Sequence, residues 1–208
     1  MLKQQQHDQI KTPLNRRKLL TGMAATASVG LSGVAPTTAY AAKDPIVQFM
    51  NRSARKLLKA ARRGSPKRFL RFIMRHTDVG GIAMYSLGSY RTGLQKKHQR
   101  IYFRGMARHI MRYFTYQSQQ YHVVKAEVGE KSWQEGDSHY IDTKLTLLTG
   151  STYNVRWQIV QRRGRYKIAN VRVLGFWLAR FQRSQFEGFI SKKGGRVTAL
   201  VAALQSRK

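Results

Sequence analysis

The chain has 208 residues, no cysteine and a formal net charge of +30. Without cysteine there is no disulfide, no thiolate metal site and no lipid-modified cysteine behind a leader. Charge of this size resists compaction and draws polyanions; composition alone leaves open whether the partner is specific or the surface is simply solvated.

Residues 1–41 read as a cleavable export signal. Asn15-Arg16-Arg17-Lys18-Leu19-Leu20 precedes a mildly apolar run from Gly22 to Val34, and Ala39-Tyr40-Ala41 offers the small residues that a signal peptidase reads. The run is shorter than the roughly 20 apolar residues a bilayer span needs. The adjacent arginines and weak hydrophobicity favour the twin-arginine route for folded cargo over a Sec signal, although Leu19 and Thr21 stand where Phe and Lys are usual. Residues 42–208 then form one domain, of a size that buries roughly 68–70% of its unfolded surface. They keep nearly all the charge, because the leader holds Lys3, Lys11, Arg16, Arg17 and Lys18 against Asp8. The expected location is the periplasm, where the abundant polyanions are membrane surfaces and lipopolysaccharide; no nucleic acid partner is expected.

Asp44-Pro45 has the form of an N-cap followed by proline at the first helical position. Ile46, Met50, Ala54, Leu57 and Ala61 follow at helical spacing up to Gly64. Ser65-Pro66 repeats the start signal, and Phe69, Leu70, Phe72 and Ile73 give a second apolar face. Asp78 caps a short third helix broken by glycines. The fourth and longest helix runs from about Lys97 to Gln120, with Phe103, Met106, Ala107, Ile110, Tyr113 and Phe114 as its apolar stripe. Arg100, Arg104, Arg108 and Arg112 make a second stripe at four-residue spacing with no acid in the helix. Such pairs repel by about 0.2–0.5 kcal/mol each on an exposed helix. The row is therefore either a tolerated solvated face or a surface for anionic headgroups or an acidic protein.

After Gln120 the period changes to two. Val124, Ala126 and Val128 alternate with polar residues, as do Ile141 to Leu147 and Tyr153 to Ile159. Gly129 to Asp137 and Gly150-Ser151 read as turns, and Arg162-Arg163-Gly164 as a tight hairpin. In Arg165 to Leu174, Tyr166 and Ile168 fall out of phase with Val171 and Val173, which predicts a bulge near Ala169-Asn170. The C-terminus returns to helix through Phe181, Gln185, Phe186 and Phe189, then Val197 to Leu204. The fold class is α+β: N-terminal helices packed on a curved four-stranded antiparallel sheet, with C-terminal helices.

The residues offer little to a catalyst. Beyond the leader there are Asp44, Asp78, Glu127, Glu130, Glu135, Asp137, Asp142 and Glu187. Two are caps, four surround a loop, and no pair is poised as general acid and base. The histidines lack metal-ligand spacing, and no nucleophile elbow or phosphate loop occurs. No enzyme, metal or cofactor is expected. What the chain does supply is aromatic and aliphatic surface along one sheet–helix interface, which is either packed core or the lining of an apolar ligand cavity.

Tyr166-Lys167-Ile168-Ala169-Asn170-Val171-Arg172-Val173-Leu174-Gly175, followed by Arg183-Ser184-Gln185-Phe186, resembles the MlaC or toluene-tolerance family, whose strand reads roughly W-K-V-Y-D-V-x-V-E-G before N-Y-R-S-Q-F. Phe69 to Ile73, Asp78-Val79, Gly88-Ser89-Tyr90 and the Tyr113–Tyr121 region match more loosely, so the likeness spans about Asp44 to Leu204. Asn170 and Leu174 stand where the family has Asp and Glu, and Phe181-Gln182 where it has Asn-Tyr. The resemblance implies a periplasmic lipid-binding domain that carries phospholipid between an outer-membrane lipoprotein complex and an inner-membrane ABC transporter complex. Acyl chains would sit between sheet and helices, with Phe69, Phe72, Tyr153, Val155, Trp157, Val171 and Val173 as candidate lining. A branch of the family tied to hopanoid biosynthesis leaves another lipid open. The rival reading is a secreted module that binds polyanions or membrane surfaces without a pocket.

If the arginine pair directs export, replacing both Arg16 and Arg17 by Lys should abolish it, and N-terminal sequencing of the exported protein should begin at Ala42. Normal export of the variant would restore the Sec reading.

Overall fold

The computed structural model describes residues 44–206; the expected leader and cleavage site lie outside the described residues. Asp44 opens the fold. One carboxylate oxygen accepts from the backbone N–H groups of Ile46 and Val47, and Pro45 occupies the first turn of helix α1 (Pro45–Arg62). The other accepts from the backbone N–H and hydroxyl of Ser132, at 2.9 and 2.7 Å, so the cap also fastens a distant loop to the helix start. Partial burial opposes ionisation here, but the hydrogen bonds from Ser132, Ile46 and Val47 outweigh it and hold the carboxyl below its ordinary range.

Gly64 leaves α1 in the left-handed region, and α2 (Pro66–His76) starts at Pro66 with no bond from the Ser65 hydroxyl. Asp78 caps α3 (Val79–Ser86) through the N–H of Gly81, and its second oxygen accepts from Arg162 at 2.8 Å. A 3₁₀ turn at Gly88–Gly93 leads to α4 (Lys96–Gln120). A Cβ at Gly88 would collide with the Glu187 carboxylate, which accepts from Ser89 and pairs with Arg183.

The strands are β1 (Val123–Val128), β2 (Trp133–Glu135), β3 (Ser138–Leu147), β4 (Thr152–Arg162), β5 (Arg165–Val173) and β6 (Phe176–Trp177). They form an antiparallel sheet in the order β1-β3-β4-β5-β6, with β2 beside β3. The α+β expectation holds, while the count of four strands becomes six. β2 lies inside the stretch expected to be turns, and β6 follows a tight turn at Leu174-Gly175. The expected bulge is present: Gln158 pairs with Asn170 and Ile159 with Ile168, leaving Ala169 unpaired. A second bulge, at Val124, turns that residue outward and Val123 inward, while Ala126 and Val128 keep the inward side expected of them. On the sheet's outer face Arg156 grips Asp142 with two hydrogen bonds of 2.8 and 2.9 Å and lies over Trp133.

The helices α5 (Leu178–Lys192) and α6 (Val197–Gln205) complete the fold. One core joins the inner sheet face to α1 and α2 through Met50, Phe72, Ile73, Ile141 and Ile159. A second joins α3, α4, α5 and α6 through Leu87, Tyr102, Met106, Ile190 and Leu200. The long helix α4 belongs to both, so its buried face is wider than one stripe: Tyr102 and Gly105 are buried beside Met106 and Ala107, whereas Tyr113 is exposed. A Cβ at Gly105 would press on Leu204 at 2.9 Å, so the glycine sets the α4–α6 approach.

His76 closes α2 between the rings of Phe72 and Phe49, with Nε2 3.1 Å from the Lys56 ammonium. Burial, then the charges of Lys56, Lys167, Arg75 and Arg52, push its pKa down to about 4. The unfolded chain takes up a proton near 6.5, so stability is complete above that pH and falls as pH drops toward 4. Thermal melts should show that decline, and it should be shallower in His76→Phe, which keeps a ring but cannot titrate. An unchanged slope would remove His76 from the account.

Candidate functional site

The inner face of β3, β4 and β5 is apolar because the period of two places Thr143, Leu145, Val155, Trp157, Val171 and Val173 on one side. Helices α1, α2, α4 and α5 cover that face without filling the space. Two cavities remain, of about 510 and 420 Å³, each within the range of small-molecule sites. Leu57, Tyr113, Phe114, Trp157, Val171 and Leu178 border both, so the two are neighbours across a common wall.

The first cavity runs between sheet and C-terminal helices, past Phe72, Ile82, Phe181, Phe186 and Phe189. It carries a polar flank of His109, Arg112, Asn170, Gln182 and Gln185. His109 Nε2 lies 2.6 Å from the Gln182 side-chain oxygen. Burial lowers the His109 pKa and the Arg112 charge adds to that, against the opposing Gln182 bond. Asn170 is structural as well: its side-chain oxygen accepts from the N–H groups of Val171 and Ala179 and ties the start of α5 to β5. The second cavity, toward α1 and β1, is bordered by Ala54, Leu58, Phe69, Ala126, Leu147 and Tyr153, with no charged side chain.

All seven lining candidates border this space. Phe72 lies on the first cavity, Phe69, Tyr153, Val155 and Val173 on the second, and Trp157 and Val171 on both. The helix side of the wall escaped the sequence reading: Leu57, Tyr113, Phe114 and Leu178 face it, together with the polar flank. Period marks an inward-facing residue but not whether the interior beside it is occupied. Phe181, expected to start the C-terminal helix, lies in α5 and is exposed at the edge of the first cavity.

The arginine row divides. Arg100 and Arg104 are exposed, Arg108 donates to Gln205 of α6 at 2.9 Å, and Arg112 borders the first cavity. Four residues turn a helix through about 400°, so each step rotates the row by about 40°. Over three steps it swings from solvent to the cavity edge, and only its first half can serve as one free surface. Among the described residues no group of three or more His, Cys, Asp or Glu side chains could hold a metal ion, and no helix is long and apolar enough to cross a membrane.

Sheet, helix layer and divided apolar space together define an α+β domain with apolar cavities between its layers. The family model described as "MlaC protein" matches residues 46–206, and the chain belongs to that family. The solved structure of a phospholipid-binding protein from Ralstonia solanacearum, in complex with a phospholipid, shares the fold. Its TM-score is 0.62 at 15% identity, covering 76% of this chain and 93% of that one. No curated protein matches significantly.

The wall rests on one polar contact. The Trp157 indole N–H donates to the Thr143 hydroxyl at 3.1 Å, and both side chains are buried. Thr143→Val keeps the volume but orphans the donor, a loss of about 1–3 kcal/mol. Denaturant unfolding should report it, and a variant as stable as the parent would show that water or another acceptor reaches the indole.

Proposed function

We propose that the protein is a periplasmic phospholipid carrier: it holds acyl chains in the two adjoining cavities and moves lipid between membrane complexes of an ABC transport system, without catalysis. The observation that carries this is the divided apolar space behind Trp157. Two cavities sharing one wall suit a ligand with two apolar chains joined at one end. Membership in the MlaC family supports the reading, as does the Ralstonia protein of the same fold, solved with a phospholipid.

The energetics favour occupancy. Apolar walls give water few partners, whereas each buried methylene of an acyl chain gains about 0.8 kcal/mol. The leader, with its arginine pair and small-residue site, supports export, and the basic surface favours anionic lipids and membranes. The family's hopanoid-linked branch keeps that lipid class within the same test.

Protein purified from a bacterial host should release phospholipid on solvent extraction, identified by mass spectrometry, and keep it through a molar-salt wash. Polyanion binding without a pocket would fall steeply with salt. Leu178→Trp, which adds volume where the cavities meet, should at least halve the bound lipid. Folded protein that is lipid-free and takes none from vesicles would end the reading.

A further inference from the structure

The exposed large apolar residues are not scattered evenly around the sheet. β1 begins, β3 ends, β4 begins, β5 ends and β6 begins at one end of it, as the register pairs Val123–Leu147, Thr146–Thr152 and Val173–Phe176 require. That end presents Leu148 and Phe176, each 73% exposed, Leu174 at 67% and Tyr121 at 52%. The opposite end presents Glu135-Gly136-Asp137 and Arg162-Arg163-Gly164-Arg165, all exposed and mostly charged. Both ends are made of tight turns on the same strands, so turn chemistry does not account for the asymmetry.

The Leu174-Gly175 turn breaks two local rules at once. Both residues have positive φ, 49° and 85°, a conformation that a two-residue hairpin turn meets with Asn-Gly or Gly-Gly and that leucine rarely adopts. The same leucine then points into water. The strain does not set this end apart, since exposed Arg163 at the other end has a φ of 50°; what does is that the strained residue here is a large apolar one left in water, which points to a contact outside the chain.

The surroundings say what that contact is. Exposed Arg172 donates to the Gly175 carbonyl at 3.1 Å, and exposed Arg62 to the Val124 carbonyl at 2.9 Å, so two guanidinium groups are held at this end. The strands β4, β5 and β6 and the helix α4 contain no acid, and Glu127 of β1 is paired with Lys125. Leu174 and Tyr121 also border the second cavity. Apolar tips and a tyrosine flanked by arginines are the chemistry of an interfacial contact with anionic lipid.

We propose that this sheet end is a membrane-seating lip. Leu148, Leu174 and Phe176 enter the apolar margin of an anionic bilayer, Arg62 and Arg172 meet its phosphates, and the edge of the second cavity is set against the lipid. The lip goes beyond the carrier reading and does not rest on it, because its readout is attachment to a surface.

The test is flotation of the purified protein with vesicles of phosphatidylcholine containing about one-third phosphatidylglycerol, and with phosphatidylcholine alone. The variants are Leu148→Ser/Phe176→Ser, neither of which borders a cavity, and Arg163→Ser/Arg165→Ser at the opposite end as a charge control. The parent should float with the anionic vesicles. The lip variant should partition at least tenfold more weakly, since two large side chains each lose even part of their burial. The charge control should stay within about twofold, and melting temperature and extracted lipid should be unchanged in the lip variant. Undiminished flotation of the lip variant, or an equal loss in the charge control, overturns the proposal. So does a parent that ignores both vesicles, which would assign the lip to a protein partner. Lipid extracted from the same preparations separates the two readings. Lipid-free protein that floats but takes no lipid from the vesicles keeps the lip and ends the carrier reading, and loaded protein that stays off vesicles does the reverse.

Discussion

The fold turns on the position of Trp157, which projects from the centre of the sheet and borders both cavities, with its N–H held by Thr143 on the neighbouring strand. A smaller residue there would let the helices settle toward the sheet and give an ordinary packed core. Leu57, Phe114 and Leu178, from three different helices, border both cavities together with Trp157. The residues that close the space are thereby the same ones that divide it. Stability and ligand volume are set by one contact surface.

A cover that stands away from its sheet must be held at its margins, and the polar contacts are found there. Asp44 fastens the start of α1 to the loop before β2, and Asp78 fastens the start of α3 to the end of β4. Asn170 fastens the start of α5 to β5, and Glu187 holds the 3₁₀ turn against α5. Three of these are acids in a chain of very high positive charge, which gives each a role a neutral residue would fill less well: it caps or clasps and also reduces local repulsion. The remaining cations are left largely unopposed on the outside.

Much of this was legible because it is local. Asp44-Pro45 and Asp78 announce caps by side-chain chemistry, and the phase slip between Ile168 and Val171 announces the Ala169 bulge by parity. The Val124 bulge was not legible: Val123 and Val124 are both apolar, so either phase fits the alternation. β2 hides in a charged stretch and exists because Trp133 stacks on Tyr140 of the adjoining strand, a contact with no periodic signature. The seven lining candidates came from the family resemblance together with parity on the strands and the second helix's apolar face. Their counterparts Tyr113, Phe114 and Leu178 did not, because α4 and α5 touch several neighbours and their faces blur. Whether the interior was packed or hollow depends on how far the helices stand from the sheet, a distance set by side chains of several elements together rather than by any segment alone.

The two ends of the sheet can be explained by the same division of labour. A cavity between layers must open somewhere, and an opening rimmed by charge would leave apolar chains to cross a strongly hydrated edge. Placing leucine and phenylalanine at the turns beside the second cavity removes that barrier and leaves exposed apolar surface, which favours self-association. The dense positive charge elsewhere counters it, since like-charged molecules repel before their apolar tips meet. High charge and the proposed lip would thus be complementary: the charge would keep the chain dispersed in water and draw it to an anionic surface, and the lip would act only once that surface is reached.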